Sequence, residues 1–97
     1  MLFKRKHFNA DKAREELINL IDESKEPIYK EIFYSRPEVR SIMDRIIEVW
    51  ERSGRQGRPI DYANIDELKQ LLRIAKEIVK KNPEELMAEY WGGRRAS

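Results

Sequence analysis

Apolar residues recur along most of this chain at steps of three and four, the period that gathers them on one side of an α-helix. Ala10, Ala13, Leu17, Leu20 and Ile21 share one such face, and Asn9 stands before them as an N-cap, so a first helix is expected over about 10–24. Proline is tolerated at a helix start but not inside one. Pro27 in "SKEP" therefore opens a short second helix, about 27–34, carrying Ile28, Tyr29, Ile32 and Phe33. Ser35 and Glu38 have capping-box spacing, with Pro37 in the first turn. They are expected to begin a third helix over about 36–53, with Val39, Ile42, Met43, Ile46, Val49 and Trp50 inward and Gly54 as its stop.

The connection over 54–64 is longer than most helix–helix loops. Its second half, "PIDYA", is expected to lie extended, with Ile60 and Tyr62 turned together onto the bundle. Asn64 and Glu67 repeat the capping-box spacing before a fourth helix at about 65–81, whose inward side would hold Ile65, Leu68, Leu71, Leu72, Ala75, Ile78 and Val79. Asn82 and Pro83 end it and start a last short helix, 83–91. The third and fourth helices are near-equal, each roughly 26 Å long, which suggests an antiparallel pair, though the eleven-residue loop permits other arrangements. The expected fold is all-α, a compact helical bundle of three longer helices and two short ones. One domain would span 9–91, flanked by a basic arm at 1–8 and a basic tail at 92–97.

Composition agrees with a folded chain: of 97 residues, 40% are hydrophobic and 39% charged. The absence of Cys and Thr, with abundant Lys, Glu, Arg and Ile, leans towards a thermophilic source. No apolar run approaches the length of a membrane span. "MLFKRKHF" has no apolar stretch after its charges, so no secretory leader is expected and the cytoplasm is the default location.

The net charge of +2 hides a segregation. Lys4, Arg5 and Lys6 in the arm, Arg52, Arg55 and Arg58 in the loop 52–58, and Arg94 and Arg95 in the tail have no acid among them, which leaves the remaining chain at −6. Within the fourth helix, Lys69, Arg73, Lys76 and Lys80 fall within about 60° of one another and extend over about 16 Å. Such a stripe matches two or three backbone phosphates, and it is equally the wet side that any amphipathic helix must have.

Catalytic chemistry finds little support. His7 is the only histidine and sits in the basic arm, a setting that poorly supplies the buried carboxylate by which a triad would hold it. One His and no Cys argue against zinc. "GRQG" lacks the Lys-Ser or Lys-Thr of a phosphate loop. Asp11 with Glu15 and Glu85 with Glu89 share helix faces and suit Mg²⁺ in principle, but acids near helix N-termini are favoured by the dipole alone. A helix-turn-helix over 15–35 would set Glu26 and Glu31 against phosphates.

Two readings follow, neither enzymatic, and neither calling for a cofactor, a metal or a small-molecule substrate. In the first, the chain contacts nucleic-acid backbone without sequence preference. Lys69, Arg73, Lys76 and Lys80 form the ordered face, and Arg55, Arg58, Lys4, Arg5 and Lys6 add adaptable cations. In the second it is a structural or assembly subunit, viral or cellular, joined through protein–protein contacts as a homo-oligomer. There Tyr29, Phe33, Tyr34, Tyr90 and Trp91, many aromatics for two short helices, would form the interface. Core packing is the competing role for these rings.

Overall fold

Local signals set the helix boundaries. The computed structural model describes residues 8–92, and of Trp91 and Gly92 only the backbone. Asn9 accepts a hydrogen bond from the Lys12 amide at 3.1 Å and opens α1, Ala10–Leu17, which continues as a π turn, Ile18–Asp22. Pro27 begins α2, Pro27–Ser35, and Pro37 begins α3, Pro37–Arg52. A 3₁₀ turn, Pro59–Tyr62, precedes α4, Ile65–Val79. The chain closes with α5, Pro83–Met87, and a second π turn, Ala88–Gly92. The fold is all-α, with no strand among the described residues.

Reciprocal capping boxes open α4 and α5. Asn64 accepts from the Glu67 amide at 2.8 Å while Glu67 accepts from the Asn64 amide at 2.9 Å; Asn82 and Glu85 do the same at 2.8 and 3.2 Å. The box expected from Ser35 and Glu38 does not form. A residue before proline avoids the helical region, so Arg36, at ψ 132°, is the single extended residue between α2 and α3. Ser35 belongs to the last turn of α2, and its hydroxyl donates back to the Ile32 carbonyl at 2.8 Å.

The core is centred on α4, which buries Leu68, Leu71, Ile74, Ala75 and Ile78. Leu17 and Ile21 from the first helix and its π turn, Ile28, Ile32 and Phe33 from α2, Val39 and Ile46 from α3, and Leu86 from α5 complete it. Each such side chain stabilises the fold by about 1.5–3 kcal/mol. Two positions on α4 depart from expectation. Ile74 is buried at 2% exposure, and Ile65, in the first turn, is half exposed.

α4 packs its backbone against α1 and α2, and α5 leans on α2. The third and fourth helices do not form a closely packed pair; Arg45 of α3 meets Glu67 in the first turn of α4. α3 lies against α2 and the 3₁₀ turn, since the segment after α3 folds back onto it. That return is held by a C-cap in which the Gly54 amide donates to Glu51 O at 3.1 Å and the Arg55 amide to Trp50 O at 2.9 Å. Gly54 (φ 85°), Arg55 (φ 62°) and Gly57 (φ 72°) all take left-handed backbone to make it.

"PIDYA" is consequently not extended. Asp61 accepts from the Arg58 amide at 3.0 Å and from its guanidinium at 2.9 Å, and Pro59 fixes the first dihedral, so the segment winds into the 3₁₀ turn. Tyr62 donates its hydroxyl to the Gln56 carbonyl at 2.7 Å, and Trp50 its indole N–H to the Gly57 carbonyl at 2.8 Å. Trp50 and Val49 are only half-buried and lie outside the central core, Trp50 serving this loop through its indole.

Candidate nucleic-acid interface

The three arginines of the loop lose their isolation once the chain folds. Arg52 pairs with Glu48 at 3.2 Å, and Arg55 with Glu51 at 3.4 Å, one turn back along α3. Arg55 also covers the Trp50 ring, its guanidinium carbon 5.5 Å from the centroid. Arg58 reaches across to α1, meeting Glu15 at 3.2 Å as well as Asp61 at 2.9 Å. The Arg58 hydrogen bonds hold the Asp61 carboxyl below the usual carboxylate range. A segment that is uniformly basic in sequence is neutralised in space, and its geometry is that of a clasp between α1 and the end of α3.

The stripe on α4 is different. Lys69, Arg73, Lys76 and Lys80 are all exposed, and all four line one shallow trough of about 460 Å³ together with Phe8, Leu72 and Glu77. A neighbouring depression shares Phe8, Lys69 and Leu72 and adds Lys12, Ala13 and Glu16 from the α1 side. The combined surface carries five cations against two acids. Glu16 pairs with Lys76 at 3.5 Å and Glu77 with Arg73 at 3.6 Å, both between exposed groups. Such solvent-facing pairs are worth little and yield readily to a competing anion. Lys69 places its ammonium 5.3 Å from the Phe8 ring centroid, and no acid contacts Lys80 among the described residues.

Neither Phe8 nor Lys12 is among the nucleic-acid contacts expected from the sequence. A local signal for both exists: Phe8 immediately precedes the Asn9 cap, the position from which an apolar side chain folds back on the first turn, and it lines the same depression as Ala13 one turn on. Lys4, Arg5 and Lys6, with His7, lie outside the described residues, as do Arg94, Arg95 and the Trp91 side chain.

The aromatics divide. Phe33 is 1% exposed and meets Tyr34 edge-on at 5.0 Å, so it is core and offers nothing to a partner. Tyr29 donates to the Lys81 carbonyl at 3.1 Å, fastening α2 to the end of α4. Tyr34 donates to Asp22 at 2.9 Å, and burial, reinforced by that carboxylate, pushes its hydroxyl well above the usual range. Tyr90 is half-buried against the core. Around Tyr34 a mostly apolar cleft of about 280 Å³ opens between the first π turn, α2, Met43 and Ile60.

The carboxylate pairs considered for Mg²⁺ are otherwise engaged. Asp11 holds Arg14 at 2.7 Å, Glu15 holds Arg58, Glu85 caps α5 and Glu89 holds Lys81 at 2.9 Å. Among the described residues no three His, Cys, Asp or Glu side chains gather as a metal site, and no helix is long and apolar enough to cross a membrane. Comparison with protein-family profiles, curated proteins and solved structures finds no match for this chain.

Proposed function

We propose that this protein is a non-enzymatic binding protein that contacts nucleic-acid backbone through the α1–α4 trough. The observation that carries the reading is the clustering of Lys12, Lys69, Arg73, Lys76 and Lys80 on one surface whose two acids, Glu16 and Glu77, are exposed and weakly held. A row about 16 Å long is matched to two or three phosphates, and affinity then comes from counterion release without base-specific contacts. Arg58 contributes less than its sequence suggests, since Glu15 and Asp61 both hold it, whereas Arg55 has only the exposed Glu51. Lys4, Arg5 and Lys6 are joined to the trough by the chain itself, shortly before Phe8.

The second reading, an assembly subunit and homo-oligomer, draws on α3. That helix buries only Val39 and Ile46, leaving Ile47 exposed and Val49 and Trp50 part-exposed. One experiment separates the two. Fluorescence anisotropy with labelled oligonucleotides at about 50 and 200 mM salt is expected to show binding that falls at least tenfold between them. A Lys69→Ala/Arg73→Ala/Lys76→Ala variant should bind at least tenfold more weakly at the lower salt. Absence of binding at 50 mM, with a concentration-dependent dimer by sedimentation, would replace the first reading with the second.

A further inference from the structure

We infer that the trough selects single-stranded over duplex nucleic acid, with Phe8 as the platform on which an unpaired base stacks; the inference rests on the phosphate-contact reading above. The trough is lined by the apolar side chains of Phe8 and Leu72 and by the cations Lys69, Arg73, Lys76 and Lys80, with Glu77 as its one acid among the described residues. A duplex presents phosphates alone to such a surface, because its bases are paired and stacked inside. An extended single strand presents both phosphates and free base faces, so it satisfies the cations and the apolar side chains together. The Lys69 ammonium lies 5.3 Å from the Phe8 ring centroid, so a ring face is turned to the cationic side of the trough, and a base stacking there takes the place of that flexible side chain. An acidic amphipathic helix is the competing occupant, and it fits less well. Helix-in-groove recognition needs a row of apolar anchor sites at i, i+3, i+4 and i+7. Here Phe8 and Leu72 are the only apolar side chains of the trough among the described residues, and cations continue it beyond them.

The test compares a labelled single-stranded oligonucleotide, the same sequence as a duplex, and a poly-glutamate peptide, with the full chain at about 50 mM salt. The single strand is expected to bind at least fivefold more tightly than the duplex. Phe8→Leu keeps apolar volume and removes the π face; it should weaken single-strand binding by roughly fivefold to tenfold and leave duplex binding unchanged. Phe8→Trp should restore or strengthen the single-strand preference, which guards against a Phe8→Leu effect caused by misfolding. Duplex binding as tight as single-strand binding, equal weakening of both on Phe8→Leu, or poly-glutamate binding as tightly as the single strand would each overturn the inference while leaving the trough an anion-binding surface. Loss of salt-dependent binding to every oligonucleotide would instead overturn the phosphate reading beneath it.

Discussion

Glu67 shows how much one side chain can settle. Its carboxylate closes the capping box of α4 through Oε1 and is gripped by both arms of the Arg45 guanidinium, which also reaches the Tyr62 carbonyl at 3.4 Å. The Arg45 hydrogen bonds, helped by the Asn64 amide, hold the Glu67 carboxyl below its ordinary value, and Arg58 does the same to Asp61. A carboxyl whose pKa is lower folded than unfolded adds stability that is fully present above the unfolded value and is lost as pH falls through the folded one. Stability should therefore hold from neutrality down to about pH 5 and decline below about pH 4. Glu67→Gln/Asp61→Asn should be less stable at pH 7, yet flatter between about pH 5 and 2, in urea midpoints measured across that range. Equal acid slopes for the variant and the parent chain would show that other carboxyls dominate.

At the scale of elements, the turn after α3 makes a sharper demand than any helix. Gly54 and Gly57 both have positive φ, but an added Cβ finds open space at Gly54, whereas at Gly57 it comes 3.0 Å from Asp61 Oδ2, the atom that caps Arg58. Gly54→Ala is expected to cost about 1 kcal/mol from backbone strain alone. Gly57→Ala should cost about 2 kcal/mol or more, because the same strain is joined by displacement of the cap. Paired thermal or denaturant melts read the difference, and a Gly54→Ala effect as large as that of Gly57→Ala would contradict the account. Gly54 is readable from the sequence as a stop, as are Asn9, Pro27 and the Asn64–Glu67 box, since each acts within one turn of itself. Ser35 misleads because Pro37 constrains Arg36 first. The 3₁₀ turn is hidden because its organising contact, Arg58 with Asp61, competes with the extended form on equal local terms. That α3 packs closely on the 3₁₀ turn rather than along α4 is carried by no helical period, since it rests on the fold of the loop between them.

On the scale of the whole molecule, folding redistributes charge that the sequence lays out in blocks. The described residues, 8–92, hold all eighteen acids and fifteen of the twenty basic side chains, a net charge of −3, so any attraction for phosphate must come from local clustering or from the arms. The loop cluster is matched by Glu48, Glu51 and Asp61, each three or four residues from its arginine, and by Glu15, whose pairing with Arg58 across 43 residues of chain is the one that sequence spacing does not reveal. The α4 cluster survives, since a helical period alone places its four members together. Phe8 joins them only because α1 packs on α4. The acidic body and basic arm then make separable contributions to salt dependence. Lys4→Ala/Arg5→Ala/Lys6→Ala should lower the slope of log K against log salt for a single strand by about 2, at roughly 0.7 for each phosphate no longer neutralised. Arg55→Ala/Arg58→Ala removes two formal charges against three but should lower that slope by no more than about 0.7, because Arg58 rests against both Glu15 and Asp61 and only Arg55, in an exposed pair, is left to release a counterion. Equal reductions in slope for the arm and loop variants would mean that phosphate displaces the Glu51, Glu15 and Asp61 pairings, and that the loop shares the binding surface with α4.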